Sequence, residues 1–110
     1  MSSSAGPRMT IPTQLVLETL LADPTRELYG LAIGQAAGLP SGTVHPILAR
    51  LEAVGWLESH WEDIDPREQG RPARRYYRLT GAGAVAARAA LARAYRPARL
   101  PGVAPVPGQT

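Results

Sequence analysis

The chain has 110 residues, a net charge of +3 and no cysteine. That length fits one domain with a modest core, and the missing cysteine excludes disulfides and thiolate metal sites. No apolar run approaches the ~20 residues of a membrane span, and Met1 to Pro7 lacks the basic stretch and apolar core of a secretion signal, so the composition reads as a cytoplasmic protein.

The charge is unevenly placed. Residues 1–66 carry Arg8, Arg26 and Arg50 against eight acids, whereas residues 67–110 carry nine arginines against the single acid Glu68. An arginine-rich half points to a polyanionic partner. Lysine is absent; codon bias in a GC-rich genome accounts for arginine over lysine, but not for the clustering.

Residues 1–9 are expected to lack structure. Thr10 opens a first helix with Pro12 in its first turn, where the missing N–H costs nothing. Leu17, Leu20 and Leu21 form its stripe, and Leu15 and Val16 widen the apolar arc, which predicts burial on a second side against another subunit. Asp23-Pro24 closes it. A second helix is predicted from Leu28 to Ala37, ended by Gly38 as a left-handed C-cap. Gly30 and Gly34 weaken it; they either permit close helix contact or are simply tolerated. The third helix starts with Ser41 as N-cap, carries Val44, Ile47, Leu48, Leu51 and Val54 at helical spacing, and ends at Gly55.

The period then changes. Trp56 to Glu62 reads as a strand, Asp63 to Pro72 as a polar turn or flexible loop, and Ala73 to Leu79 as the second strand of a hairpin. Thr80 caps a fourth helix that runs to about Tyr95 or Arg96, with Pro97 as its stop. Residues 97–110 hold several prolines without periodicity and read as a disordered tail.

The order is helix, helix, tight turn, helix, hairpin, helix. This predicts a mostly α fold with a β-hairpin: a winged helix-turn-helix over residues 10–79 and a C-terminal dimerisation helix over residues 80–96. A third helix of this kind fits the major groove of double-stranded DNA. Its polar side presents Ser41, Thr43, His45, Pro46 and Arg50, with hydroxyl, imidazole and guanidinium groups suited to phosphates and base edges. On the hairpin, Arg71, Arg74 and Arg75 are expected to grip phosphates or enter the minor groove. Glu62, Asp63, Asp65 and Glu68 compete for the same arginines and are expected on the loop side, away from DNA.

Several segments together resemble the PadR family of transcription regulators. They are Leu28-Tyr29-Gly30, then Ser41-Gly42-Thr43-Val44-His45-Pro46-Ile47-Leu48-Ala49-Arg50-Leu51-Glu52, then Gly55-Trp56-Leu57-Glu58-Ser59, and the run from Gly70 to Thr80 with Gly83. The resemblance covers about residues 10–95. It implies a winged helix with a C-terminal dimerisation helix, and a local repressor often released by a small effector. The departure is His45, where members carry Tyr, which changes one contact and leaves the fold untouched.

The fourth helix is rich in alanine, with strong helix propensity but few large residues to bury. Dimer contacts are expected from Leu15, Val16, Val85, Leu91 and Tyr95, this helix lying beside the partner's first helix. A homodimer places two recognition helices about 34–36 Å apart on a palindromic site. Trp56 and Trp61 offer aromatic surface for an effector, but core or sheet packing is the favoured reading. No cofactor or metal is expected, and no catalytic group is placed: the histidines are His45 and His60 alone, and the acids sit on a loop without held geometry. The competing function is a winged helix used as a protein-interaction module.

Overall fold

A computed structural model describes residues 6–98. In chain order the elements are α1 (Ile11–Leu21), β1 (Leu28–Tyr29), α2 (Gly30–Ala37), α3 (Ser41–Ala53), β2 (Leu57–Trp61), α4 (Pro66–Gln69), β3 (Arg75–Leu79) and α5 (Gly81–Ala98). The three strands form one antiparallel sheet in the order β1-β3-β2. This is a winged helix-turn-helix followed by a C-terminal helix.

Residues 1–5 and 99–110, parts of the two tails expected to lack structure, lie outside the described residues. Residues 6–9 form no helix or strand, yet they are not loose. Met9 packs against the core, and its carbonyl accepts from the Gln14 side-chain amide at 2.7 Å. The expectation of a structureless segment up to residue 9 is therefore corrected at its end, because an apolar side chain beside a core is drawn onto it.

α1 begins as its sequence predicts. Thr10 is extended at the N-cap, and its hydroxyl oxygen accepts from the Thr13 N–H. Leu28 and Tyr29 do not open the second helix. They pair with Tyr77 and Tyr76 of β3 as a third strand, since a sheet edge satisfies their backbone groups as well as a helical turn does. Gly38 closes α2 with a φ of 74°. Gly34 sits where the chain turns back: a side chain there would meet the Leu39 carbonyl oxygen at 2.8 Å, and the Leu39 N–H donates to Gly34 O at 2.8 Å. Close contact is thus the operative reading for Gly34, because it lets α2 and α3 join in so tight a turn.

Ser41 is not the cap of α3. Pro40 takes that position in an extended conformation, its carbonyl accepting from Thr43 N–H and Val44 N–H, while Ser41 is the first helical residue. Pro46 is accommodated within the helix. The expected loop after β2 contains the short helix α4, with Asp65 as N-cap, Pro66 in its first turn and Gly70 in the left-handed conformation at its end. α5 continues through Pro97 to Ala98, where a proline in the last turn removes one hydrogen bond and breaks no interior turn.

The core gathers one side of every major element: Val16, Leu17 and Leu20 from α1, Ile33 from α2, Val44, Ile47, Leu48 and Leu51 from α3, Leu57, Tyr77 and Leu79 from the sheet, and Ala84, Ala87 and Leu91 from α5. Two proposed dimer residues therefore change role. Val16 is 0% exposed and Leu91 7% exposed within the single chain. The wide apolar arc of α1 is buried largely within its own chain, by α2 and α3 and to a lesser extent α5.

The start of α5 is fastened to the turn between α3 and β2. The Thr80 N–H donates to Trp56 O at 3.0 Å, and the Thr80 hydroxyl donates to Gly55 O at 2.9 Å. The same hydroxyl oxygen accepts from Gly83 N–H at 2.8 Å, capping α5 as predicted. Any side chain at Gly83 would collide with the Trp56 backbone.

Candidate nucleic-acid interface

α3 buries Val44, Ile47, Leu48 and Leu51, so its 3.6-residue period turns the intervening residues outward. Ser41, His45, Pro46, Ala49 and Arg50 are exposed and Thr43 is half-buried. Among the described residues, the side chains of Ser41, Thr43, His45 and Arg50 make no hydrogen bond or ion pair. This face offers two hydroxyls, an imidazole and a guanidinium with no internal claim on them.

The wing arginines separate into two groups. Three are engaged by carboxylates. Arg71 donates to both Glu62 oxygens, at 2.8 and 3.0 Å. Arg78 of β3 is paired with Glu58, directly opposite in the register, at 2.7 Å. Arg75 approaches Glu52 of α3 at 3.6 Å and lies over the Trp61 ring at 5.2 Å. Glu52 also accepts from the Ser59 hydroxyl at 2.6 Å, which ties the recognition helix to the sheet.

Arg74 differs. Among the described residues it has no carboxylate partner, and its guanidinium lies 4.2 Å from the centre of the Tyr29 ring. Glu62 fixes the neighbouring backbone: it accepts from Arg74 N–H at 3.2 Å, and its own N–H donates to Arg74 O at 2.7 Å.

The bidentate bond from Arg71 holds the Glu62 carboxyl at about 2, with the Arg74 N–H adding to it and partial burial opposing it. The same bond raises Arg71, as Glu58 raises Arg78. The acids were expected on the loop side, away from DNA, and as competitors for the wing arginines. Glu62 is such a competitor: it lies at the neck of the wing and bonds Arg71, one of the arginines expected to contact DNA. Asp63, Asp65 and Glu68 are exposed at the tip, with Asp65 capping α4.

Between α3 and the wing lies a crevice of about 220 Å³ lined by Tyr29, Gly30, His45, Trp61, Arg74 and Arg75, among others. Tyr29 was not singled out as a site residue. The signal was the resemblance motif containing it, but its role depends on the third strand. A separate groove of about 640 Å³ runs between residues 6–9 and α5, with Trp56, Ala86, Ala90 and Arg93 in its lining. Trp56 is half-buried against the core, whereas Trp61 is 61% exposed.

Of the expected dimer residues, Val85 is 68% exposed and Leu15 half-buried; the side chain of Tyr95 lies outside the described residues. Among the described residues no cluster of acids and histidines is placed to hold a metal, and no helix is long and apolar enough to cross a membrane.

Arginines on the wing beside the exposed polar face of α3 give the chain the form of a DNA-binding domain of the kind used by transcription regulators. The chain belongs to the Transcriptional regulator PadR-like family, which it matches over residues 16–89. No curated protein matches it.

Among solved structures it is similar to the PcaV transcriptional regulator from Streptomyces coelicolor in complex with its natural ligand, at 28% identity and TM-score 0.64, covering 84% of this chain and 60% of that one. It is similar to overoxidized AbfR bound to DNA, at 28% identity and TM-score 0.58, covering 78% of this chain and 60% of that one. A putative DNA-binding protein from Ralstonia eutropha shares the fold at 23% identity and TM-score 0.56, covering 73% of this chain and 94% of that one. The chain thus spans about three-fifths of the length of PcaV and AbfR.

Proposed function

We propose that this regulator is a repressor that binds a palindromic operator as a homodimer, with α3 in the major groove and Arg74 of the wing at the adjacent backbone or minor groove. The observation that carries the reading is the outer face of α3. His45 and Arg50 are exposed, have no side-chain partner among the described residues, and stand on a helix whose other face is locked in the core. Side chains held by a rigid helix read base edges at little cost in ordering. Arg71 and Arg75 shape the wing, and Arg74 at its neck, with Arg67 at its tip, carries a guanidinium that no carboxylate bonds among the described residues.

The dimer rests on the exposed side of α5, where Val85 stands among exposed Ala82, Ala89 and Ala92. Ile11 of α1, 66% exposed, and Leu15 add apolar surface. The groove of about 640 Å³ beside Trp56 has the size of a drug-sized ligand site and supports release by a small molecule.

The test is a titration of the full chain with duplex DNA from upstream of its own gene and with a scrambled duplex, at two salt concentrations. Preference for the upstream duplex that survives the higher salt supports a specific regulator. Equal binding erased by salt leaves nonspecific phosphate contact alone. Absence of binding at both salts transfers the reading to a protein-interaction module.

A further inference from the structure

We propose that Tyr29-Gly30, the junction of β1 and α2, is a positioning pair that sets the wing and the recognition helix at a fixed distance from one another. The proposal rests on the DNA-binding reading and assigns that surface a part the wing and α3 do not themselves supply.

One arm of the pair is Tyr29. β1 places it opposite Tyr76 of β3, whose ring meets it edge-on at 5.7 Å and 73°. The Tyr29 ring is thus held by the sheet, and Arg74 rests on it at 4.2 Å. A guanidinium over an aromatic face keeps its full charge while losing the freedom of its long side chain. Carboxylates hold Arg71, Arg75 and Arg78, which fixes them at the cost of their net charge. Arg74 alone of these four is ordered without a carboxylate bonded to its guanidinium among the described residues. That combination favours a phosphate contact, because the ordering is already done before DNA arrives.

The other arm is Gly30. It is buried at the first position of α2, and a side chain there would come within 3.0 Å of the His45 ring carbon Cε1. The bare glycine therefore leaves room for His45 to lie against the start of α2. Two adjacent residues locate one candidate contact from the wing and one from the recognition helix, and both pairs line the same crevice.

The experiment uses the full chain, the upstream duplex and a scrambled duplex. Four variants, Tyr29→Leu, Tyr29→Phe, Gly30→Ala and Arg74→Ala, are compared alone and combined, with His45→Ala as a further background. Tyr29→Leu is expected to weaken binding to both duplexes about fivefold, and Tyr29→Phe, which keeps the ring, to rescue the loss. In the Arg74→Ala background Tyr29→Leu costs nothing more, the coupling that marks a shared contact.

Gly30→Ala keeps the helical signal in circular dichroism, yet displaces the His45 ring and reduces preference for the upstream duplex, and does so only while His45 is present. In the free chain, NMR shows the Arg74 side-chain protons shifted by the Tyr29 ring, a shift lost in Tyr29→Leu and kept in Tyr29→Phe. Losses that persist undiminished in the Arg74→Ala and His45→Ala backgrounds overturn the positioning role, as does unchanged binding. A wild-type chain that binds neither duplex overturns the DNA reading, and the proposal with it; wild-type binding with uncoupled losses overturns the proposal alone.

Discussion

α3 and α5 bury one side each in the same core, but they do it with different material. α3 inserts Val44, Ile47, Leu48 and Leu51, and α5 inserts Ala84, Ala87, Ala90 and Leu91. Large aliphatic groups anchor α3 within its own domain, leaving Ser41, Thr43, His45 and Arg50 on the other side without a side-chain partner among the described residues. Alanines bring α5 close but remove little surface from water, and its opposite side carries methyl groups that gain only by meeting another apolar surface. On the proposed reading, α3 is finished as a structure and open to DNA, whereas α5 has an exposed side that a second subunit would cover.

The largest expected effect comes from the anchor itself. Leu48→Ala should lower stability by about 2–5 kcal/mol in urea unfolding, with DNA binding and self-association failing together; retention of one without the other would mean that the two helices do not share a core. Val85→Glu should act on α5 alone. Covering a valine side chain is worth about 1.5–3 kcal/mol, so sedimentation should move toward monomer while circular dichroism keeps its helical content. An unchanged sedimentation profile would place the partner surface elsewhere.

Arg74→Ala should act on the DNA side alone. It should weaken binding to specific and scrambled duplexes alike and flatten the slope of log affinity against log salt by about 0.9; an unaltered slope removes Arg74 from the phosphate contacts. His45→Ala should change preference among sites by about 1 kcal/mol without altering self-association. Equal losses on all sequences would mean that His45 reads no base.

The smallest effect lies in the wing neck. The folded Glu62 carboxyl titrates at about 2, below its ordinary 4.5, so its contribution is complete above about pH 4.5 and disappears as pH falls toward 2. A carboxyl NMR titration with a midpoint near 4.5 would show the Arg71 clamp open in solution.

The helices were legible where periodicity runs long enough. α1 and α3 show three turns of apolar spacing, and the Thr10 and Thr80 caps are local chemistry. β1 was not legible, because two residues cannot display an alternation and only pairing with Tyr76 and Tyr77 makes Leu28-Tyr29 a strand. α4 carried a readable signature, an aspartate and proline at its start and a glycine at its end, within a segment too polar to show a period.

The recognition face followed from the helical spacing of the core residues. The state of the wing arginines did not, because it depends on register: Glu58 faces Arg78, and Glu62 folds back on Arg71 and on the Arg74 backbone. Nor could the sequence divide an apolar arc between the chain's own core and a partner, which is why Val16 and Leu91 moved inward.

The wing is closed twice, at its base by Thr80 with Gly55 and Trp56, and again nearer the tip by Glu62 with Arg71 and Arg74. Strain or slack introduced beyond the second closure has no route to the scaffold. The tip over residues 63–70, between the two partners of that second closure, is therefore an interchangeable cassette: doubling a loop costs only about 0.6 kcal/mol, and the length and charge of this stretch are free to vary while Glu62 and Arg71 stay paired.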